Sequence, residues 1–325
     1  MEGAIEPELP ISDAHHHLWY DPLYDSPYFV EDFVADANRG HNIVRSVFVE
    51  CGDSYRTEGP DFLKSVGETE RIARLAPRST ALGGPTIAGI VASVDLRLGD
   101  SLDEAIDMHA LAAAGSLRGV RVRVGYDPTG TVPAGYGERY IPDQLADERF
   151  RAGVRTLGQR GLSLDVFAYH LQLQDVLGLA RAVPNTTIVI NHLGCPLGVG
   201  SYGAGDHQTE VLRIWRGSIT ELSSTSNVVI KLGGLGMRRI IYEWPETPAV
   251  SSNDIAYIMS DTVRFVIDTF GPNRCMFESN FPVDRQSFDY VTIWNAFKKM
   301  TLKYAPAERE SLFQGTADLT YNLLG

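Results

Sequence analysis

Two stretches of the chain concentrate side chains able to bind ions or anions. The first is Asp13-Ala14-His15-His16-His17. In an extended strand side chains alternate between faces, so Asp13, His15 and His17 share one face and His16 points the other way. Two imidazoles at i and i+2 can reach one ion together, and zinc and similar ions favour such nitrogen ligands. Leu18-Trp19 follow inside an apolar run away from the terminus, which separates these histidines from a purification tag. The second stretch is Arg121-Val122-Arg123, flanked by Val120 and Val124. If the valines face outward, the arginines face inward. An arginine there can hold a substrate carboxylate in bidentate fashion or close an internal salt bridge with Asp95 or Asp165.

Such groups need strands to aim them. Eight short apolar runs read as strands: from Ile11, Ile43, Ala88, Leu117, Leu162, Thr186, Asn227 and Arg274. Most are near-continuous in apolar character, as strands buried on both faces are. Helix-like stretches alternate with them at 61–76, 102–114, 147–159, 172–183, 208–222 and 252–269, and after the last strand at 286–300 and 306–323. This alternation predicts a parallel sheet, and eight units predict one closed (β/α)8 TIM barrel of the α/β class. The barrel is expected over 11–325, after an N-terminal extension of 1–10. The Gly/Pro-rich stretches 53–60, 125–142, 194–205 and 236–248 then become long βα loops at the catalytic face. Polar residues close several strands: Glu50, His170, His192, Lys231 and Asn280. In a barrel such ends converge on one pocket.

Composition narrows the function. The chain carries 29 basic and 41 acidic side chains, a net charge of -12, and no long basic tract, which argues against nucleic-acid or anionic-membrane partners. No 18-residue apolar run predicts a membrane span. The start lacks a signal peptide's charged and apolar regions. Cys51, Cys195 and Cys275 have no C-x-x-C spacing, so they read as reduced thiols of a cytoplasmic protein. Gly198-Val199-Gly200-Ser201-Tyr202-Gly203 matches G-x-G-x-x-G, but four residues separate it from the preceding strand, so it reads as a loop. Serine-hydrolase, P-loop and zincin signatures are missing. The expected partner is a small-molecule substrate, with self-association into a homo-oligomer as an open option.

Asp13-Ala14-His15-His16-His17 resembles the D-x-H-x-H signature of the amidohydrolase superfamily. Met276-Phe277-Glu278-Ser279-Asn280-Phe281-Pro282 resembles its closing G-S-D-W-P segment, and Asn191-His192-Leu193-Gly194 its D-H-x-G-x-P motif. The likeness runs from Ile11 to Leu323 and is nearest to the amidohydrolase-related branch. That branch holds sugar, muconolactone and pyrone-dicarboxylate lactonases and some metal-dependent decarboxylases. The resemblance implies His15, His17 and His170 as ligands of one divalent ion, zinc or else manganese. It implies His192 as the residue that orients or deprotonates water. Asn280 stands where the family usually has a metal-binding, proton-moving aspartate, and asparagine cannot take a proton at neutral pH. Glu278 stands at the family's glycine. It shares strand parity with Asn280, so both are expected to face inward, about 6.6 Å apart along the strand. Glu278 or Glu50 is therefore the candidate replacement base.

The expected reaction is opening of a lactone by metal-activated water, with Arg121, Arg123, Lys231 and Tyr169 contacting substrate. Alternatives are a metal-free lactonase on the same site, a non-oxidative decarboxylase, and an inactive binding barrel. Loop aromatics Tyr126, Tyr136, Tyr140, Tyr202, Tyr242 and Trp244 suit a planar or apolar ring.

Overall fold

The computed structural model of the protein describes residues 2–20, 26–132, 141–203, 205–238, 244–245 and 249–324. The apolar runs form β1 (Pro10–His16), β2 (Asn42–Val49), β3 (Thr86–Ala92), β4 (Leu117–Arg123), β5 (Ser163–Phe167), β6 (Ile188–Ile190), β7 (Val228–Leu232) and β8 (Cys275–Phe277). They pair in parallel in chain order as one eight-stranded sheet. The ring closes where His16 bridges Phe281, with the His17 N–H donating to Phe281 O at 2.8 Å and the Asn280 N–H to His15 O at 2.9 Å. This is the expected (β/α)8 TIM barrel.

Around it lie α1 (Val30–Ala37), α2 (Val66–Ala81), α3 (Leu102–Ala112), α4 (Glu148–Gln159), α5 (Leu173–Ala182), α6 (Asp206–Ser223), α7 (Ser252–Phe270) and α8 (Tyr290–Met300), then the short α9 (Pro306–Glu310) and α10 (Thr316–Thr320). The sequence reading missed α1. Its apolar positions Val30, Phe33, Val34 and Ala37 are nonetheless spaced for one buried helix face. Phe33 uses that face to stack on the ring of His16, centroids 4.1 Å apart, which explains why His16 points away from the other histidines.

The barrel is filled from below by its own tail. Ala317, Tyr321 and Leu323 share a buried cluster with Val47, Val91, Val189, Val229 and Met276 of the strands. The Tyr321 hydroxyl reaches both oxygens of Asp165 at 2.9 and 2.8 Å. The N-terminal segment is tied down by Lys298 of α8, whose ammonium donates to the carbonyls of Ile5 and Glu6 at 2.9 and 2.8 Å.

Several strands stop short of their expected polar ends. β6 ends at Ile190 and β8 at Phe277, so His192, Glu278 and Asn280 lie in the rim turns that follow. His192, Leu193, Cys195 and Asn280 have φ of 53°, 57°, 38° and 52°. Non-glycine residues seldom adopt these left-handed values, and they gather at functional sites.

Candidate active site

β1 carries His15, and His17 follows directly after its end; both are buried, with their Nε2 atoms 3.2 Å apart. His17 Nδ1 lies 2.8 Å from the Val49 carbonyl, which can only accept, so Nδ1 carries a proton and Nε2 a lone pair. Lys231 Nζ, a donor only, stands 3.3 Å from His15 Nδ1. Burial, helped for His15 by the nearby Lys231 charge, holds both imidazoles well below their ordinary pKa. Asp13 does not reach the pocket. It accepts the Ser279 N–H at 2.8 Å and the Tyr290 hydroxyl at 2.9 Å, binding β1 to the turn after β8. Burial raises its pKa to about 6.

Glu278 lies between two imidazoles. Its Oε1 is 2.6 Å from His192 Nδ1 and also accepts the His192 backbone N–H at 3.0 Å. Its Oε2 is 2.8 Å from His15 Nδ1. Glycine at 234 makes room: a Cβ there would come within 2.7 Å of the His192 ring, and its φ of 67° is itself left-handed. Strand parity fails beyond Phe277, because the backbone turns. Glu278 faces His15 and His192, whereas Asn280 gives its Nδ2–H to Asp284 Oδ1 at 2.7 Å.

Glu50 has a different occupation from the expected base. Arg121 Nε donates to its Oε1 at 2.7 Å, and Arg123 donates from Nε to Oε1 at 3.0 Å and from Nη2 to Oε2 at 2.7 Å. Burial pushes the Glu50 pKa up, but Arg123 and Arg121 outweigh it and bring the pKa to about 2. A carboxylate so paired is a poor proton acceptor at neutral pH. The arginines do face inward in an internal salt bridge, but to Glu50, while Asp165 pairs with Lys231 at 2.8 Å. Lys231 is fully buried, so it acts on the pocket through its charge rather than by touching a substrate. Arg123, with a side chain 20% exposed, reaches furthest outward of the three cations.

His170 is not gathered with the other histidines. It opens the turn after β5, where its Nδ1 accepts the Leu197 N–H at 3.3 Å and its ring meets Tyr202 edge-on at 5.5 Å. Burial lowers its pKa to about 4. Tyr169 beside it is buried against Phe167, centroids 5.6 Å apart. Of the loop aromatics, Tyr202 donates its hydroxyl to Asp127 at 2.8 Å, and Trp244 donates to Leu235 O at 2.6 Å. Tyr126 is partly exposed, and Tyr136, Tyr140 and Tyr242 lie outside the described residues. Gly200–Tyr202 forms a short turn in the loop after β6, not the start of a nucleotide-binding helix.

Two buried acids went unread in the sequence. Glu68 on α2 accepts the Cys51 and Asp53 N–H groups, each at 3.0 Å, and burial beside Glu50 raises its pKa to about 7. Asp284 accepts from Asn280 and from the Gly236 N–H at 2.9 Å. Neither stands at a strand end, so only their placement behind other residues reveals them.

Among the described residues, one group of three could hold a metal ion. His15, His192 and Glu278 each bring a ligand atom within 4.8 Å of the others, all buried. This set includes His15 but neither His17 nor His170. Among the described residues nothing donates a hydrogen bond to Glu278 Oε2, although it faces His15 Nδ1 at 2.8 Å. An orphaned carboxylate oxygen against an imidazole nitrogen fits a divalent ion between them.

A parallel barrel with histidines and carboxylates at the carboxyl ends of its strands belongs to the class of barrel hydrolases and their relatives. The amidohydrolase family profile matches residues 12–323, and the chain belongs to that family. It is 31% identical over 341 residues to the uncharacterized protein y4mH of Sinorhizobium fredii, covering 97% of this chain and 99% of that one. It is 24% identical over 318 residues to an L-fucono-1,5-lactonase of Burkholderia ambifaria, covering 96% and 95%. A crystal structure of an amidohydrolase from Burkholderia multivorans with bound zinc shares the fold, with TM-score 0.72 and 23% identity over 96% of this chain and 99% of that one.

Proposed function

We propose that this protein opens the ring ester of a small lactone with water, using His192 as the base and Glu278 as the residue that orients it. The observation that carries this reading is the 2.6 Å contact of His192 Nδ1 with Glu278 Oε1. A carboxylate accepts, so the Nδ1 proton points at Glu278 and Nε2 is left with its lone pair. This is the arrangement of a base held in one tautomer by an acid behind it. Similarity to an L-fucono-1,5-lactonase supports the ester substrate.

His192 Nε2 takes a proton from water as the water oxygen bonds to the lactone carbonyl carbon. Negative charge then grows on the carbonyl oxygen, and Arg121 and Lys231, each within 3.4 Å of His15, make that region positive. The ring C–O bond breaks, and the departing oxygen receives the proton from His192. The product is a hydroxy acid, one water heavier than the lactone. Arg123 is the group placed to hold a substrate carboxylate. A divalent ion, zinc on this donor set, would be held by Glu278 Oε2 and His15, leaving His192 Nε2 free as the base, and when bound would supply a water of lowered pKa.

A panel of five- and six-membered lactones, followed by acid release in a pH-stat and by product NMR, tests the reading. Stoichiometric acid with ring opening is expected. Carbon dioxide release from aromatic acids, with every lactone left intact, would replace it by decarboxylation.

A further inference from the structure

Arg71 on α2 is 5% exposed, and one edge of its guanidinium has no partner. Its Nη1 donates to Asp53 Oδ2 and, at 3.3 Å, to Ser54 Oγ. Its guanidinium carbon sits 4.3 Å from the centroid of the Tyr20 ring. The ion pair and the ring together fix the plane of the group. Asp53 Oδ2 is itself shared, since it also accepts the Tyr20 N–H and the Ser54 hydroxyl, each at 3.1 Å. The remaining edge, Nε with Nη2, is buried, and among the described residues nothing accepts from it. These two N–H groups point the same way, at the spacing of the two oxygens of one carboxylate. Leaving both unpaired is costly, and a single oxyanion satisfies both.

There is room for one beside Arg71. Two cavities of about 280 and 470 Å³ share Tyr20, Arg71 and Leu75 as walls. Arg71, Arg74 and Arg78 stand at i, i+3 and i+7 on one face of α2, and Arg56 adds a fourth cation. Arg71 pairs with Asp53, Arg56 with Glu70 and Arg78 with Glu31, so the groove keeps one positive charge in excess on a chain of net charge -12. The smaller cavity adds an apolar wall of Phe29 and Val30, with the Phe29 ring centroid 5.0 Å from that of Tyr20. A bare inorganic anion gains nothing from such a wall. We infer that this groove binds a small organic carboxylate with a planar, apolar body. Its two oxygens lie on Nε and Nη2 of Arg71, and its body lies against Tyr20, Phe29 and Leu75. Tyr20 is 50% exposed, so its ring can turn aside to admit the oxygens. Among the described residues, neither cavity is walled by His15, His192, Glu278 or Arg123. This is a second site, apart from the barrel mouth, and it stands whether or not the protein opens lactones.

Calorimetry on the full chain tests this with benzoate, benzamide, acetate and inorganic phosphate as probes. Benzoate is expected to bind at about millimolar concentration, and benzamide, which lacks the charge, and acetate, which lacks the ring, about tenfold more weakly or less. Arg71→Lys keeps a cation for Asp53 but has no paired N–H edge, so benzoate affinity is expected to fall by about tenfold or more. Tyr20→Ala removes an apolar wall at an exposed position and keeps the test decisive if Arg71→Lys does not fold. It is expected to erase the advantage of benzoate over acetate. Thermal melting checks that each variant is folded. No heat from benzoate up to about 10 mM overturns the inference. So does benzamide bound as well as benzoate, or phosphate bound more tightly than benzoate. Benzoate affinity unchanged in folded Arg71→Lys, or its advantage over acetate unchanged in Tyr20→Ala, overturns it too, and loss in Arg123→Lys instead would place the carboxylate in the barrel mouth.

Discussion

Glu278 has one carboxylate and meets two imidazoles, His192 at 2.6 Å and His15 at 2.8 Å. Glu278→Gln keeps the shape but can turn an NH2 toward His192 Nδ1, which favours the wrong tautomer. We expect kcat to fall by about 10²-fold or more, in the range of general-base losses, while KM changes little. Glu50→Gln separates the rival. Its carboxylate is held at about pKa 2 by Arg123 and Arg121, so the variant should lose thermal stability while the acid limb of the rate profile stays in place. A limb that moves would return Glu50 to the role of base. At this scale the sequence was partly legible. His15, His17 and His192 were visible from type and spacing. The ion pairs of Glu50 were hidden because its arginine partners lie 71 and 73 residues away, and only closure of the barrel brings them together. The place of His170 was equally hidden, since a short turn after β5 points it at Leu197 and Tyr202.

At the level of elements, the rim turns aim the chemistry and the strands supply only the platform. All eight strands were legible because parallel strands buried on both faces read as apolar runs. Their ends were not, because positive φ at His192 and Asn280 breaks the alternation from which a side chain's direction is inferred. Gly234→Ala tests the turn after β7. The new Cβ would meet the His192 ring at 2.7 Å in a backbone that disfavours alanine. Activity is expected to fall by more than about tenfold even at temperatures where circular dichroism shows a folded barrel. Glu68 gives a prediction for α2. Its pKa rises from 4.5 to about 7 on folding, so between those values the unfolded chain ionises while the folded chain holds the proton. Stability therefore falls as pH climbs through this window, and the loss is complete above about pH 7. Glu68→Gln should raise the melting temperature at pH 8 and flatten its pH dependence between 5 and 7. An unchanged slope would show that burial beside Glu50 has no such cost.

Across the whole molecule, the two ends of the chain secure the barrel on which the site depends. Tyr321, near the C-terminus, donates to Asp165, which also pairs with Lys231 at 2.8 Å beneath His15. Tyr321→Phe leaves that buried carboxylate short of a donor and should cost about 1–3 kcal/mol in denaturant unfolding. A loss below measurement would mean the tail merely fills space. The barrel was legible from eight repeats of one pattern, whereas the tail's role was not, because α9, α10 and the turn between them read as one helix. The most direct test of the central claim is single-substrate kinetics of the wild type and His192→Ala on the best lactone of the panel, with acid release counted per ring opened. One equivalent of acid per turnover, and a kcat lower by about 10²–10⁴-fold in the variant at similar KM, is the predicted result. Ring opening at the wild-type rate without His192 would contradict it.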